Sequence, residues 1–204
     1  MTYGDRGNKQ TPIPQIALRK KREKEDREAM RILGIANEDN IYLGLGDGEI
    51  EHDLPTIGKV AREIRVFKPE IIITTNPQDY IIRFAKDINW INHRDHRHCG
   101  RIVLDAAYPY ARDLLFFPEH FKDSQAGSWA CTEFLFTDVY DHPDLVYIDV
   151  TDYIDYRTKA LAAHSSQYSL KQVQESTDFF TKDKNGKEYP GGRRYDRFRY
   201  CIAD

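Results

Sequence analysis

Short continuous apolar runs alternate along this chain with stretches whose apolar positions recur every three or four residues, the pattern of an α/β protein. Residues 16 to 33 are rich in strong helix formers, and Gly34 stands where a helix takes its left-handed closing residue. The charge run 19 to 28 reads as the solvated face of that helix. Ile41-Tyr42-Leu43 predicts a short buried strand that delivers the glycine-rich turn Gly44 to Gly48. Leu54, Ile57, Ala61 and Ile64 keep helical spacing up to Lys68-Pro69, where the second helix stops. Ile71 to Thr75 is a β-branched run of the kind found in a central strand covered on both faces. Cys99, Ile102, Val103, Ala106 and Ala107 then form one apolar helix stripe that Pro109 closes.

Two more strands are predicted over Glu133 to Thr137 and Leu145 to Val150, and a further helix around Asp155 to His164. This order predicts a single three-layer, Rossmann-like α/β domain over residues 1–204 with a mainly parallel sheet. The tail from Lys171 to Arg199 is polar and turn-rich and reads as a loop or lid. In such sheets ligands bind beyond the carboxyl ends of the strands, where the segments Thr75 to His96 and Gly44 to Asp53 would converge.

Composition narrows the partners. The 204 residues carry 30 basic and 33 acidic side chains, a net charge of −3, so no global field points to nucleic acid or an anionic membrane surface. A small-molecule substrate is the better expectation. No apolar stretch approaches the ~18 to 20 residues that span a bilayer, so no membrane span is expected. Cys99, Cys131 and Cys201 are few and never spaced as Cys-x-x-Cys, which points to free thiols and a cytoplasmic protein. A homo-oligomer is compatible with all of this.

Chemistry concentrates in Asn92-His93-Arg94-Asp95-His96-Arg97-His98, between the apolar run and the amphipathic helix. Imidazole and carboxylate are ordinary ligands of a catalytic zinc, which takes about three protein ligands and keeps one position open for water. The plain alternative is a solvent-exposed polar loop, with Asp95 serving as the N-cap of the next helix. Gly44 to Gly48 lacks the frame of a phosphate-binding loop and reads as a turn. His142-Pro143-Asp144 reads as a connection between strands, and His164 as a helix-end histidine satisfied by local hydrogen bonds.

His93-Arg94-Asp95-His96-Arg97, followed by Gly100-Arg101 and Leu104-Asp105-Ala106-Ala107, resembles the second signature of the LmbE-like, or PIG-L, deacetylase family. Gly4-Asp5-Arg6-Gly7, Arg22-x-x-Glu25, Asp47-Gly48-Glu49, Lys68-Pro69, Asp149-Val150-Thr151 and His164-x-Ser166-Gln167 continue the match in order. The resemblance implies an LmbE-like fold and a zinc-dependent hydrolase that removes an acetyl group from an N-acetylglucosamine-type or related small amide. It implies that His96 is a zinc ligand. His93 would stabilise the oxyanion or protonate the leaving amine, Asp95 would orient an imidazole, and Arg22 would contact substrate. Zinc lowers the pKa of bound water and polarises the amide carbonyl, and a nearby carboxylate takes the water's proton.

Family members open on a strand leading into Ala-His-Pro-Asp-Asp-Glu, which supplies two zinc ligands and the general base; His142 to Asp144 is no counterpart. The resemblance therefore implies an N-terminally incomplete domain, weak zinc binding and impaired hydrolysis. Two rivals are a non-catalytic sugar-binding or partner-binding remnant of the same fold and an HD-type metal phosphohydrolase. The latter is mainly helical, against which the run Ile71 to Thr75 speaks.

Overall fold

The computed structural model of the protein describes residues 1–7, 13–85 and 87–203. Its helices are α1 (Gln15–Ile32), α2 (Leu54–Phe67), α3 (Arg94–Asp105), α4 (Ile154–Ala163) and α5 (Leu170–Thr181). Its strands are β1 (Ile71–Thr75), β2 (Ile81–Ala85), β3 (Ile88–Ile91), β4 (Glu133–Thr137), β5 (Leu145–Asp149) and β6 (Tyr195–Ile202). Strand order in the larger sheet is β1-β4-β6-β5, with β1 and β4 parallel and β4 and β6 antiparallel. The α/β class expected from the sequence stands. The chain divides into two compact units, Met1–Glu49 with Tyr147–Arg197, and Ile50–Val146 with Phe198–Asp204.

In the first unit α1 packs on α4, and α4 on α5. The buried positions of α1 are Leu18, Arg22, Glu25 and Ala29, one helical stripe in which two members are charged. The run 19 to 28 is therefore not wholly a solvated face, because both charges have fixed partners. Arg22 Nη2 donates to the Gly7 carbonyl at 2.5 Å. Glu25 accepts from the Ser165 hydroxyl at 2.9 Å and from the Ser166 amide and hydroxyl at 2.8 and 2.6 Å. Gly34, at φ +77°, closes α1 as expected. Ile41 to Leu43 is not a strand; Ile41 is exposed, Tyr42 stacks on Tyr3, and the parallel bridge nearby joins Leu45 to Thr2.

The tail is ordered rather than a loop. Ser169 and Gln172 cap α5 reciprocally, each side chain bonding the other's backbone amide, and Val173, Thr177 and Thr181 face inward. Arg194 donates to Thr181 Oγ1 at 2.9 Å and pairs with Asp178 at 2.7 Å, which ties α5 to the start of β6.

In the second unit β1 alternates, with Ile72 and Thr74 buried while Ile71 and Ile73 are 46% and 61% exposed. It lies at the edge of the sheet among the described residues, so the expectation of a central, doubly covered strand is corrected. Helix α3 packs on β1; of its predicted stripe Ile102 and Val103, with Ala106 and Ala107 just beyond its end, are buried, while Cys99 is half-buried. The α3 backbone continues in one further turn over residues 106–111, broken where Tyr108 is extended before Pro109. The segment 81–91, expected as loop, is a hairpin. Ile82 turns inward and Phe84 packs on Trp90 and Tyr140 at 4.3 and 4.4 Å between ring centres, whereas the facing pair Ile81 and Ile91 points to solvent.

Arg65 is fully buried and holds the turn after α3. It donates to the carbonyls of Ala111, Asp113, Phe116 and Phe117 at 2.9 to 3.2 Å and lies over the Phe121 ring at 4.5 Å.

A methyl group at residue 100 would meet the Thr75 carbonyl oxygen at 2.3 Å and Pro77 N at 3.0 Å. Backbone cannot yield as a flexible side chain can. Gly100→Ala is therefore expected to destabilise the second unit by about 1–3 kcal/mol, as overpacking does, read as a lower denaturant midpoint. An unchanged midpoint would show that α3 is free to move off β1.

Candidate active site

The start of α3 and the carboxyl end of β1 meet in the second unit. Thr75 Oγ1 donates to the His96 carbonyl at 2.5 Å, and the segment Ile50 to His52 reaches the same place. Ile50 N donates to Asp95 Oδ1 at 3.3 Å, while Arg94 donates to the Ile50 carbonyl at 2.7 Å and to Glu51 at 2.5 Å. The convergence of these two segments beyond the strand end follows the sequence expectation.

The cap of α3 is His93, not Asp95. His93 Nδ1 accepts from the Asp95 amide at 3.2 Å, and Asp95 lies in the first turn, buried, with its carboxylate turned to Ile50 N. The difference has a local cause, since an imidazole two residues back reaches the same free amide that a capping carboxylate would take. With Nδ1 accepting, the ring's proton sits on Nε2, and His93 presents an N–H donor.

His96 is held the opposite way. Its Nδ1 lies 3.5 Å from Asp138 Oδ2, and the hydrogen bond to that carboxylate raises its pKa above the ordinary imidazole value against the opposing effect of burial. In the neutral ring, Nδ1–H on a carboxylate leaves the lone pair on Nε2, the usual arrangement of a metal-ligating histidine. The two rings are 5.5 Å apart. One ring offers a proton and its neighbour a lone pair. Asp138 escaped the sequence reading, although its place directly after β4 is where site residues of such sheets stand. It sits at φ +62°, left-handed backbone that aspartate tolerates better than most residues. Beside this corner His52 Nε2 contacts Asp105 Oδ2 at 2.6 Å.

The donor set does not complete a zinc site. Among the described residues no three His, Cys, Asp or Glu side chains converge to hold a metal, and His96 with Asp138 gives one imidazole lone pair rather than about three ligands.

Arg22 belongs to the first unit, in a polar cavity of about 320 Å³ with Asp26, Asn40, Tyr42 and His164. It is nine-tenths buried and its Nε has no partner. Asp26 Oδ2 accepts from Asn40 at 2.8 Å and from the Tyr42 hydroxyl, and burial with this carboxylate pushes the Tyr42 phenol up. His164 ends α4, where its carbonyl accepts from the Gln167 and Tyr168 amides. His142 is the connecting turn expected, its Nδ1 accepting from the Asp144 amide.

Comparison with known proteins settles the lineage. The family model described as PIG-L: GlcNAc-PI de-N-acetylase matches residues 1–107. The chain belongs to the PIG-L family. The match includes Arg22 and the whole His93 to His96 segment, and the LmbE-like α/β fold expected from the sequence is the fold of this PIG-L chain. N,N'-diacetylchitobiose deacetylase from Pyrococcus horikoshii shares 19% identity, with a TM-score of 0.76 over 98% of this chain and 70% of its own. A conserved protein from Thermus thermophilus shares 22%, with a TM-score of 0.65 over 96% and 76%. GalB, the 4-carboxy-2-hydroxymuconate hydratase from Pseudomonas putida, shares 16%, with a TM-score of 0.63 over 86% and 68%. No curated protein sequence matches the chain. A deacetylase and a hydratase on one PIG-L-like scaffold show why the reaction has to be argued from the site.

The His96–Asp138 pair carries a pH signature. Because the folded pKa is raised, the pair's stabilisation is full below the unfolded value of about 6.5 and fades as pH rises through the folded value. Asp138→Asn, which keeps a residue tolerant of the left-handed backbone, is expected to move the His96 titration seen by NMR in the metal-free protein downward. Its stability deficit should be present near pH 6 and absent at about pH 9. Superimposable titration curves would remove Asp138 from the site.

Proposed function

We propose that this chain is an N-deacetylase-type hydrolase for an N-acetylated, sugar-like small-molecule amide, with zinc as its cofactor. The observation that carries the reading is the pair of imidazoles held in opposite tautomers within a family of de-N-acetylases. In this reading His93, with its proton on Nε2, donates a hydrogen bond to the amide oxygen as negative charge develops. Asp95 fixes His93 through its backbone amide and ties Ile50 to the helix start through its carboxylate. His96 is the imidazole offered to zinc, with Asp138 behind it. Arg22, buried and with an unpartnered Nε, is the substrate-binding residue. Bound zinc would activate water and polarise the carbonyl.

A single imidazole holds zinc weakly, so we infer that hydrolysis by this chain is impaired in the same measure. The alternative of a non-catalytic sugar-binding domain shares that observation and differs in turnover. No helix of the described residues is long and apolar enough to cross a membrane, and the three thiols, Cys99, Cys131 and Cys201, are free, which supports a cytoplasmic location.

Zinc content and acetate release on the 204-residue chain test the proposal. We expect well below one zinc per chain after dialysis, and acetate release from N-acetylglucosamine that rises with excess zinc. His96→Ala should abolish the response to zinc, and His93→Ala should lower the zinc-supported rate by about 10²–10³-fold, the cost of losing one oxyanion donor. About one tightly held zinc per chain would overturn the impairment. No acetate at any zinc concentration, with sugar binding intact, would leave the non-catalytic alternative.

A further inference from the structure

The hairpin of β2 and β3 touches both sides of the His96–Asp138 pair, the first turn of α3 at its base and the Asp138 segment on its inner face. Two strands alone are marginal in water, so a lone hairpin takes its place from what it rests on. At the base, Asn92 N donates to the Tyr80 carbonyl and Asn92 Nδ2 to the Asp79 carbonyl, each at 2.9 Å. Arg97, next in sequence to His96, donates to the Asn92 carbonyl and lies over the Tyr80 ring at 4.5 Å. The hairpin is thereby tied to the helix turn that carries His96.

On the inner face the Phe84 ring meets Tyr140 at 4.4 Å between centres, and Arg83 faces Asp141 at 3.9 Å. Both side chains of that ion pair are about two-thirds exposed, so the ring contact is the firmer tie. Upstream of Asp138 the Asn76 amide donates to the Thr137 carbonyl at 3.1 Å, and downstream Val139 is buried before Tyr140 reaches Phe84. With both flanks held, the left-handed backbone of Asp138 aims its carboxylate in one direction. The approach of His96 Nδ1 to that carboxylate, 3.5 Å, is at the outer limit of a hydrogen bond. It follows from the placement of the two residues and does not fix it.

We propose that Phe84 is a positioning residue for the His96–Asp138 pair: its ring, packed on Tyr140, holds the turn that presents the Asp138 carboxylate to His96 Nδ1. The bearing of this on hydrolysis rests on the deacetylase reading above. The placement of Asp138 does not.

The test is the ring-nitrogen NMR pattern of His93 and His96 in the metal-free full chain at about pH 9, well above the ordinary imidazole value. The native chain should show Nε2–H at His93 and Nδ1–H at His96. Phe84→Ala should leave His93 as it is and abolish the preference for Nδ1–H at His96, whereas Phe84→Tyr, which retains the ring, should keep it. In a chain carrying Asp138→Gly, where glycine accepts the left-handed backbone, Phe84→Ala should change nothing further at His96, since residues acting through one contact are not additive. Tyr140→Ala removes the same contact from its other side and carries the same expectations, so the loss of fold in one variant leaves the other to decide. Native Nδ1–H at His96 without the ring contact would overturn the proposal. An equal change at His93 would overturn it too, by making the ring a prop for the whole start of α3. The two readings separate cleanly. A native His96 pattern in Phe84→Ala, in a chain that releases acetate, sinks this proposal alone, whereas the expected change at His96 without acetate from any variant sinks the deacetylase reading alone.

Discussion

Helix α3 can lie against the end of β1 only because residue 100 has no side chain, and the contacts that join the His93 to His96 corner to the strand ends depend on that closeness. The Thr75 hydroxyl reaches the His96 carbonyl because the two backbones nearly touch one turn further on. With the helix start fixed, the side chains of Arg94 and Asp95 reach the segment at Ile50, and His96 comes to Asp138 at the end of the neighbouring strand. Burial of Ile102, Val103 and Ala106 holds the helix down, but apolar packing alone tolerates sliding. The missing methyl sets the depth.

Much of this was legible in the sequence wherever a periodic apolar pattern coincided with a local stop signal. Helix α2 was delimited by Leu54, Ile57, Ala61 and Ile64 with Lys68-Pro69, and it ends where Lys68 turns left-handed at φ +54°. The α3 stripe was equally plain. What could not be read was anything whose partner is distant in sequence. β6 looked like tail because Tyr195 to Ile202 mixes charged and aromatic residues, as an inner strand does when its charges find partners elsewhere, such as Arg197 on the carbonyls of Phe179 and Phe180. The capping box at Ser169 and Gln172 was a readable signal that polar composition masked.

The site divides the same way. The histidine cluster announced itself by density, and family resemblance gave it roles. Its tautomers are a property of geometry, set by one backbone amide and one carboxylate from another strand, so no spacing rule could supply them. Glu25 and Arg22 were half legible. Their spacing on α1 matched a family pattern, yet in a run of charges they looked solvated, and burial became plain only with Ser165, Ser166 and Gly7 in place.

The loop around Arg65 is folded about a cation, much as a crown ether wraps a metal ion: four carbonyl oxygens converge on one guanidinium. The neighbouring His120 ring lies 3.1 Å from the same group, and burial together with the Arg65 charge lowers its pKa, which favours the neutral ring beside the cation. A guanidinium does not release its proton at any pH a cell offers. Lysine would be a poor replacement, because a point charge cannot present the five fixed donors that several carbonyl directions require.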